Sequence, residues 1–200
     1  EAAVVMENTT NTILYSKNAD EVLFPGSTVK IMTCLLALEN TQLTDEVTMT
    51  ATGVSGVTDG GASISSQVDE VFTVEQCLYA IMVASANDIA LQIAEHVGGS
   101  VDGFVQQMNT RAQELGCTNT VFTNPTGLPD DNQHTTAHDM ALIMQAAIQN
   151  ESFRTIAAAT SYTIPATNKA AARNLTSKFT MTDTGSTGFY EGCIGGKEGY

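Results

Sequence analysis

Positive charge is scarce in this chain: 8 Lys and Arg stand against 22 Asp and Glu, for a net charge of −14. The acidic residues are spread along the sequence, not gathered in a tail. The surface as a whole therefore repels phosphate backbones and anionic lipid, which argues against a nucleic-acid partner. Nowhere do apolar residues run for the roughly 18 positions a membrane span requires. The chain reads as soluble, and a membrane link would need an anchor outside this sequence. Cysteine is sparse as well. Cys34, Cys77, Cys117 and Cys193 have wide, irregular spacing with no C-x-x-C, so neither a zinc knuckle nor a dense disulfide framework is indicated. Cys34 and Cys77 fall inside apolar helical runs, where a buried free thiol is the commoner state. The sequence has no H-E-x-x-H. His134 and His138 have H-x-x-x-H spacing, but Thr136 between them reads as a helix cap and no acidic partner is in place, so no metal and no cofactor are expected. His96 reads as a surface residue beside a helix C-terminus.

What is present is enough for one compact domain, with 42% of 200 residues hydrophobic. The chain opens "EAAVVMEN", not on a methionine, as a protein would if a leader had been removed or the sequence trimmed, which points weakly to export. Two β-rich runs, Ala3 to Met6 and Thr12 to Tyr15, flank a polar turn and predict a hairpin. From Ser27 to Leu38 apolar residues crowd nearly the whole helical circumference, which predicts a helix buried on most sides. Residues 50–70 are rich in Gly and Ser and read as a long loop of the kind that rims functional sites. Thr73 with Gln76, and Ser85 with Asp88, have capping-box spacing for two helices, the second ended by Gly98-Gly99. Further helices are predicted from about Ser100 to Leu115 and from Ala137 to Ile148, with "FTNPTGLPDDNQ" as a turn-rich loop between them. Beyond residue 150, "SYTIPA" and "GFYEGCIGGKEGY" return to strand character. The fold class is thus α/β. Residues 1–40 and 150–200 form an antiparallel sheet part from both chain ends, packed on a mostly helical insertion at 41–149.

Ser27 and Lys30 stand three apart at the start of the buried helix, in "FPGSTVKIMT". A chain this long holds an S-x-x-K about once by chance, so the context has to carry the weight. Residues three apart on a helix share a face, and the positive end of the helix dipole disfavours an ammonium there. Both effects help a neutral lysine take a serine proton. The bland alternative is a capping serine with a solvated lysine. "SAN", with Ser85 and Asn87, sits at a corner between helices, where a hydroxyl can relay a proton and an amide can hold a peptide group. Alternatively Ser85 caps and Asn87 fills a turn. "GGKEG" places Lys197 on a glycine-lined strand that another backbone can approach closely.

In this order and spacing the three motifs resemble the active-site set of the serine penicillin-recognising enzymes. The stretches "AAVVMENTTNTILYSKNADEVLFPGSTVKIMT", "LYAIMVASANDIALQIAEHVGGSVDGFVQQMN", "ELGCTNTVFTNPTGL" and "HTTAHDMALI" resemble the D-alanyl-D-alanine carboxypeptidases among the low-molecular-mass penicillin-binding proteins. The resemblance implies a fold like their transpeptidase domain. It also implies an acyl-enzyme on Ser27, with Lys30 as base, and Ser85 as proton relay to the leaving D-alanine. Asn87, Lys197, Gly199 and Tyr200 would contact a peptidoglycan stem peptide ending in D-Ala-D-Ala, with the backbone N–H groups of Ser27 and Tyr200 forming the oxyanion hole. β-Lactams would be covalent inhibitors and the site of action extracytoplasmic, at the cell envelope or secreted.

Two departures qualify the match. Glu198 stands where that family has a hydroxyl, usually threonine, that binds the substrate carboxylate, and a glutamate there repels an anion unless it is protonated, turned away by the strand's alternation or paired with Lys197. The family also continues past the position of Tyr200 with further strands and a closing helix, so this chain reads as C-terminally incomplete, with an unpaired sheet edge. Two other functions remain open: a catalytically impaired penicillin-binding scaffold or sensor, and a class A β-lactamase. The latter needs a glutamate to activate water, and the segment from Gly116 to Thr136 offers only Asp130 and Asp131.

Overall fold

The computed structural model describes residues 1–55 and 61–199. Strands β1 (Ala3–Met6) and β2 (Ile13–Lys17) pair antiparallel as a hairpin. A 3₁₀ turn, Gly26–Val29, runs directly into α1 (Lys30–Asn40). There follow β3 (Glu46–Thr48), α2 (Ala51–Ser55), β4 (Val71–Thr73), α3 (Val74–Val83), α4 (Asn87–Gly98), α5 (Val101–Glu114), α6 (Ala137–Ala147), α7 (Glu151–Ala157), β5 (Ser161–Ile164) and β6 (Arg173–Thr176).

Helix α1 is the centre. Every residue from Lys30 to Ala37 is buried, because apolar side chains leave no polar stripe to face water. It packs against α3, α4, α5, α6 and α7. Cys34 and Cys77 lie in this core as buried free thiols. The surrounding helices start where the sequence signals them. Thr73 and Gln76 form the reciprocal capping box of α3, Ser100 caps α5 through the Gly103 N–H, and Thr136 caps α6 through the Asp139 N–H. Gly99 ends α4 in the left-handed region, at φ +72. Helix α7, capped by Asn150, and the short α2 go beyond the sequence reading.

Ser85 departs from expectation. Helix α4 starts at Asn87 with Ala86 as N-cap and no side-chain cap bond, and Ser85 is held at φ +58. The capping box fails because Asp88, its required partner, is turned elsewhere. The Asp88 carboxylate accepts from Ser63 Oγ (2.7 Å), Ser66 Oγ (2.8 Å) and Ser66 N (3.1 Å), and so ties down the segment that follows residue 60.

Among the described residues the strands form three two-stranded antiparallel sheets, β1–β2, β3–β4 and β5–β6, so strands from the two chain ends pair within their own hairpins. The outer part of the first hairpin exposes Val5, Leu14 and Tyr15. The segment around Lys197, expected as a strand, carries no ladder among the described residues. It is anchored instead by the bond from Gly196 N–H to the Ala157 carbonyl (3.2 Å) and by glycines that let Ala157 and Phe179 close in.

A buried ion pair joins the β3–β4 region to the β5–β6 hairpin. The Glu70 carboxylate, fully buried, accepts from Arg173 Nη1 (2.8 Å) and Nη2 (3.0 Å), from Thr167 Oγ1 (2.5 Å) and from Gln67 N (3.0 Å). Removing one partner of such a pair leaves an uncompensated buried charge. Arg173→Met is therefore expected to lower the free energy of unfolding by about 3 to 5 kcal/mol in urea titrations, and adding Glu70→Gln should return part of that loss. Equal midpoints for wild type and Arg173→Met would show the pair to be dispensable.

Candidate active site

The 3₁₀ turn sets Ser27 one turn ahead of Lys30 and points both side chains inward. Lys30 Nζ lies 3.2 Å from Ser27 Oγ, 2.7 Å from Asn87 Oδ1 and in a short contact with the Thr126 carbonyl oxygen. Lys30 itself is fully buried. Burial first, and the nearby charge of Lys197 second, bring its pKa down to about 7. A neutral amine retains two N–H bonds and one lone pair. Asn87 Oδ1 and the Thr126 carbonyl can only accept, so they take the two hydrogens and leave the lone pair for the hydroxyl of Ser27. The arrangement suits a general base that activates a serine nucleophile.

The loop that presents Thr126 is tightly organised. Asn124 Oδ1 accepts from Thr126 N (3.1 Å), Thr126 Oγ1 (2.8 Å) and Gly127 N (2.8 Å), while Asn124 Nδ2 donates to the Leu128 carbonyl (3.0 Å). Gly127 sits at φ +81, and a Cβ there would fall 1.9 Å from the Gly26 carbonyl oxygen, so only glycine lets this loop lie against the turn that carries Ser27. Thr33 Oγ1 on α1 donates to the Pro125 carbonyl (2.8 Å) and fastens it further. Sequence reading saw only a turn-rich loop here. The signal was the Asn-Pro-Thr-Gly run itself, since an asparagine two and three residues ahead of free amides builds an Asx turn.

Ser27 opens on a cavity of about 360 Å³ whose walls also include Gly61, Ala62, Ser85, Asn87, Lys178 and Glu198. Ser85 thus serves as wall of the Ser27 cavity and not as a cap. The bond from Asn87 N to the Ala62 carbonyl (2.8 Å) seats the 61–66 segment as one rim, consistent with the expectation that the Gly/Ser-rich stretch borders a site. Residues 56–60 of that stretch lie outside the described residues.

The third motif reaches the same place differently from its reading. The Lys197 side chain is fully buried, and its Nζ donates to the Glu198 carbonyl oxygen (2.7 Å) and to Glu198 Oε1 (3.2 Å). Burial lowers its pKa, partly offset by Glu198. It does not itself line the cavity; Glu198 does, and so does Lys178, which sequence reading passed over. Gly199 brings its backbone against the amides of Ser27 and Thr28, to which a Cβ would stand 3.1 Å away. Tyr200, the predicted second oxyanion donor, lies outside the described residues. His134 and His138 bind the Asn132 carbonyl and Asp20, respectively, and no group of residues able to hold a metal ion occurs among the described residues.

A family model described as D-alanyl-D-alanine carboxypeptidase matches residues 1–194, across the hairpin, the buried helix and the cavity walls other than Glu198. The chain belongs to that family. It is 38% identical over 157 residues to the D-alanyl-D-alanine carboxypeptidase DacF of Bacillus subtilis (strain 168), covering 76% of this chain and 40% of the relative. It is 32% identical over 203 residues to a D-alanyl-D-alanine carboxypeptidase of a Streptomyces strain, covering 97% of this chain and 69% of that one. The crystal structure of a Streptomyces DD-transpeptidase superposes with a TM-score of 0.89 at 30% identity, over 98% of this chain and 78% of that one. The first of these shows that the chain spans less than half the length of a curated relative it matches.

With Lys30 as the base for Ser27, its unprotonated form is the one that reacts, and the rate at which a fluorophosphonate probe labels Ser27 should rise as pH passes through about 7 and level off above it. Lys197→Met removes a like charge, lets Lys30 keep its proton to higher pH, and should move the inflection upward. Labelling followed by intact mass across pH 5 to 10 checks both; an inflection that stays put in the variant refutes the coupling.

Proposed function

We propose that this chain carries the acylating site of a serine D-alanyl-D-alanine carboxypeptidase that acts outside the cytoplasm on peptidoglycan stem peptides. Ser27 Oγ attacks the carbonyl of the penultimate D-alanine and passes its proton to Lys30 Nζ. Ser85 relays that proton from Lys30 to the departing amine, and the terminal residue leaves. Water then cleaves the ester on Ser27 and releases the shortened peptide. Asn87 holds the peptide chain, and the backbone N–H groups of Ser27 and Tyr200 receive the developing oxyanion, a contribution typically worth about 10² to 10³ in rate per donor. The observation that carries the reading is the hydrogen-bond geometry at Lys30, whose two acceptors leave its lone pair facing Ser27 Oγ.

β-Lactams are expected to acylate Ser27 and stay. Asp130 and Asp131 are exposed and outside the cavity, and Lys197 engages one oxygen of Glu198, the one carboxylate among the cavity's described walls. No carboxylate there is both in the cavity and free of a counter-charge to activate water quickly, which speaks against the β-lactamase alternative. The impaired-scaffold alternative is separated from the enzyme by turnover.

Incubated with an N-acylated peptide ending in D-Ala-D-Ala, the protein should release D-alanine catalytically, and Ser27→Ala should lose at least about 10³-fold of that rate. Benzylpenicillin should leave a persistent mass increment on wild type and none on Ser27→Ala. Rapid hydrolysis of the penicillin, or an adduct without any release of D-alanine, would turn the assignment to β-lactamase or to scaffold.

A further inference from the structure

Asp88 follows Asn87 directly and is fully buried in the first turn of α4. Its carboxylate is held by the hydroxyls and amides of one segment: Ser63 Oγ (2.7 Å), Ser66 Oγ (2.8 Å), Ser66 N (3.1 Å) and, at longer range, Ile64 N (3.4 Å). Its neighbour Asn87 donates from the backbone to the Ala62 carbonyl (2.8 Å). Two consecutive residues of α4 thus grip residues 62–66 through a side chain and a main chain. The segment has little else to hold it. Ile64 is its one side chain in the apolar core, and Ser65 stands at φ +57, a conformation that persists only where the surroundings impose it. At its near end, Gly61 and Ala62 wall the cavity on which Ser27 opens, and Lys30 is fully buried next to Ser27.

We propose that Asp88 is a positioning residue for acylation: by latching residues 62–66 onto the start of α4, it keeps the rim closed over Ser27 and bulk water away from Lys30. This rests on the acyl-enzyme reading above. Asp88 touches neither Ser27 nor Lys30 and acts through the rim. The charges that bear on Lys30 are those of Lys197, Cys34 and Glu198, so the field of Asp88 is not the route. When the latch breaks, water reaches the amine. Burial is the largest cause of the lowered Lys30 pKa, so its relief lets Lys30 keep its proton to higher pH.

The test follows fluorophosphonate labelling of Ser27 against pH in wild type, in Asp88→Asn, which offers one acceptor oxygen in place of two, and in Ser63→Ala/Ser66→Ala. Thermal melts show that each variant is folded at the assay temperature. Both variants should move the inflection upward from about 7 by at least about half a pH unit. The serine pair retains the carboxylate, so a shift there cannot come from loss of a charge, and it decides the matter alone where Asp88→Asn does not fold. Combining all three substitutions should add little further shift, because they break one latch. An inflection unmoved in the serine pair overturns the proposal, as does a downward shift in Asp88→Asn, the sign expected from removing a negative charge. Unshifted variants of a wild type that labels on Ser27 strike this proposal alone. A wild type that the probe never labels on Ser27 brings down the acyl-enzyme reading and the proposal with it.

Discussion

One buried amine organises the site. An ammonium taken wholly out of water is strongly disfavoured unless its donors are met, and Lys30 lies at the start of a helix with no exposed face along its first two turns. Burial lowers the affinity of Lys30 for its proton. The Asn87 amide and the Thr126 carbonyl then decide which way the neutral nitrogen points. Neither effect suffices alone. A desolvated lysine without oriented acceptors has no preferred direction for its lone pair, and an oriented lysine in water stays protonated at neutral pH.

That requirement explains how much of the fold converges on so small a volume. The 3₁₀ turn and the start of α1 deliver Ser27 and Lys30, the corner leading into α4 delivers Ser85 and Asn87, and the Asx turn at Asn124 delivers the Thr126 carbonyl. The rims are fixed by separate devices of the same kind. Asp88 gathers Ser63 and Ser66, and Glu70 binds Arg173 across from the β5–β6 hairpin. In each case a buried carboxylate collects donors from a segment with little apolar content of its own. Polar satisfaction takes the place of hydrophobic packing where the loops have too few apolar side chains to pack.

Local physics made much of this legible in the sequence. The α1 circumference, the Thr73–Gln76 box, the cap at Thr136 and the first hairpin each depend on residues a few positions apart, and each is found as read. The pairing of Ser27 with Lys30 was legible for the same reason. What escaped depends on distant partners. Ser85 with Asp88 has the spacing of a capping box, but Asp88 serves Ser63 and Ser66, which no local pattern announces. Lys178 looks like any surface lysine until the chain folds it onto the cavity, and the Thr126 contribution is a backbone carbonyl, which has no letter in the sequence.

The third motif links recognition to reactivity. Lys197 depresses the proton affinity of Lys30, whereas Glu198 acts on Lys30 in the opposite sense, so this pair beside the cavity acts on the Lys30 amine in both directions. A cationic residue standing alone at the position of Lys197 would activate Lys30 more strongly and would also draw an anion. Setting Glu198 beside it moderates both at once. A change in charge at either residue therefore also moves the proton affinity of Lys30. The ionisation of Lys30 follows both its burial and the charges beside it, because the low-dielectric interior that lowers its pKa also transmits the field of its neighbours with little screening.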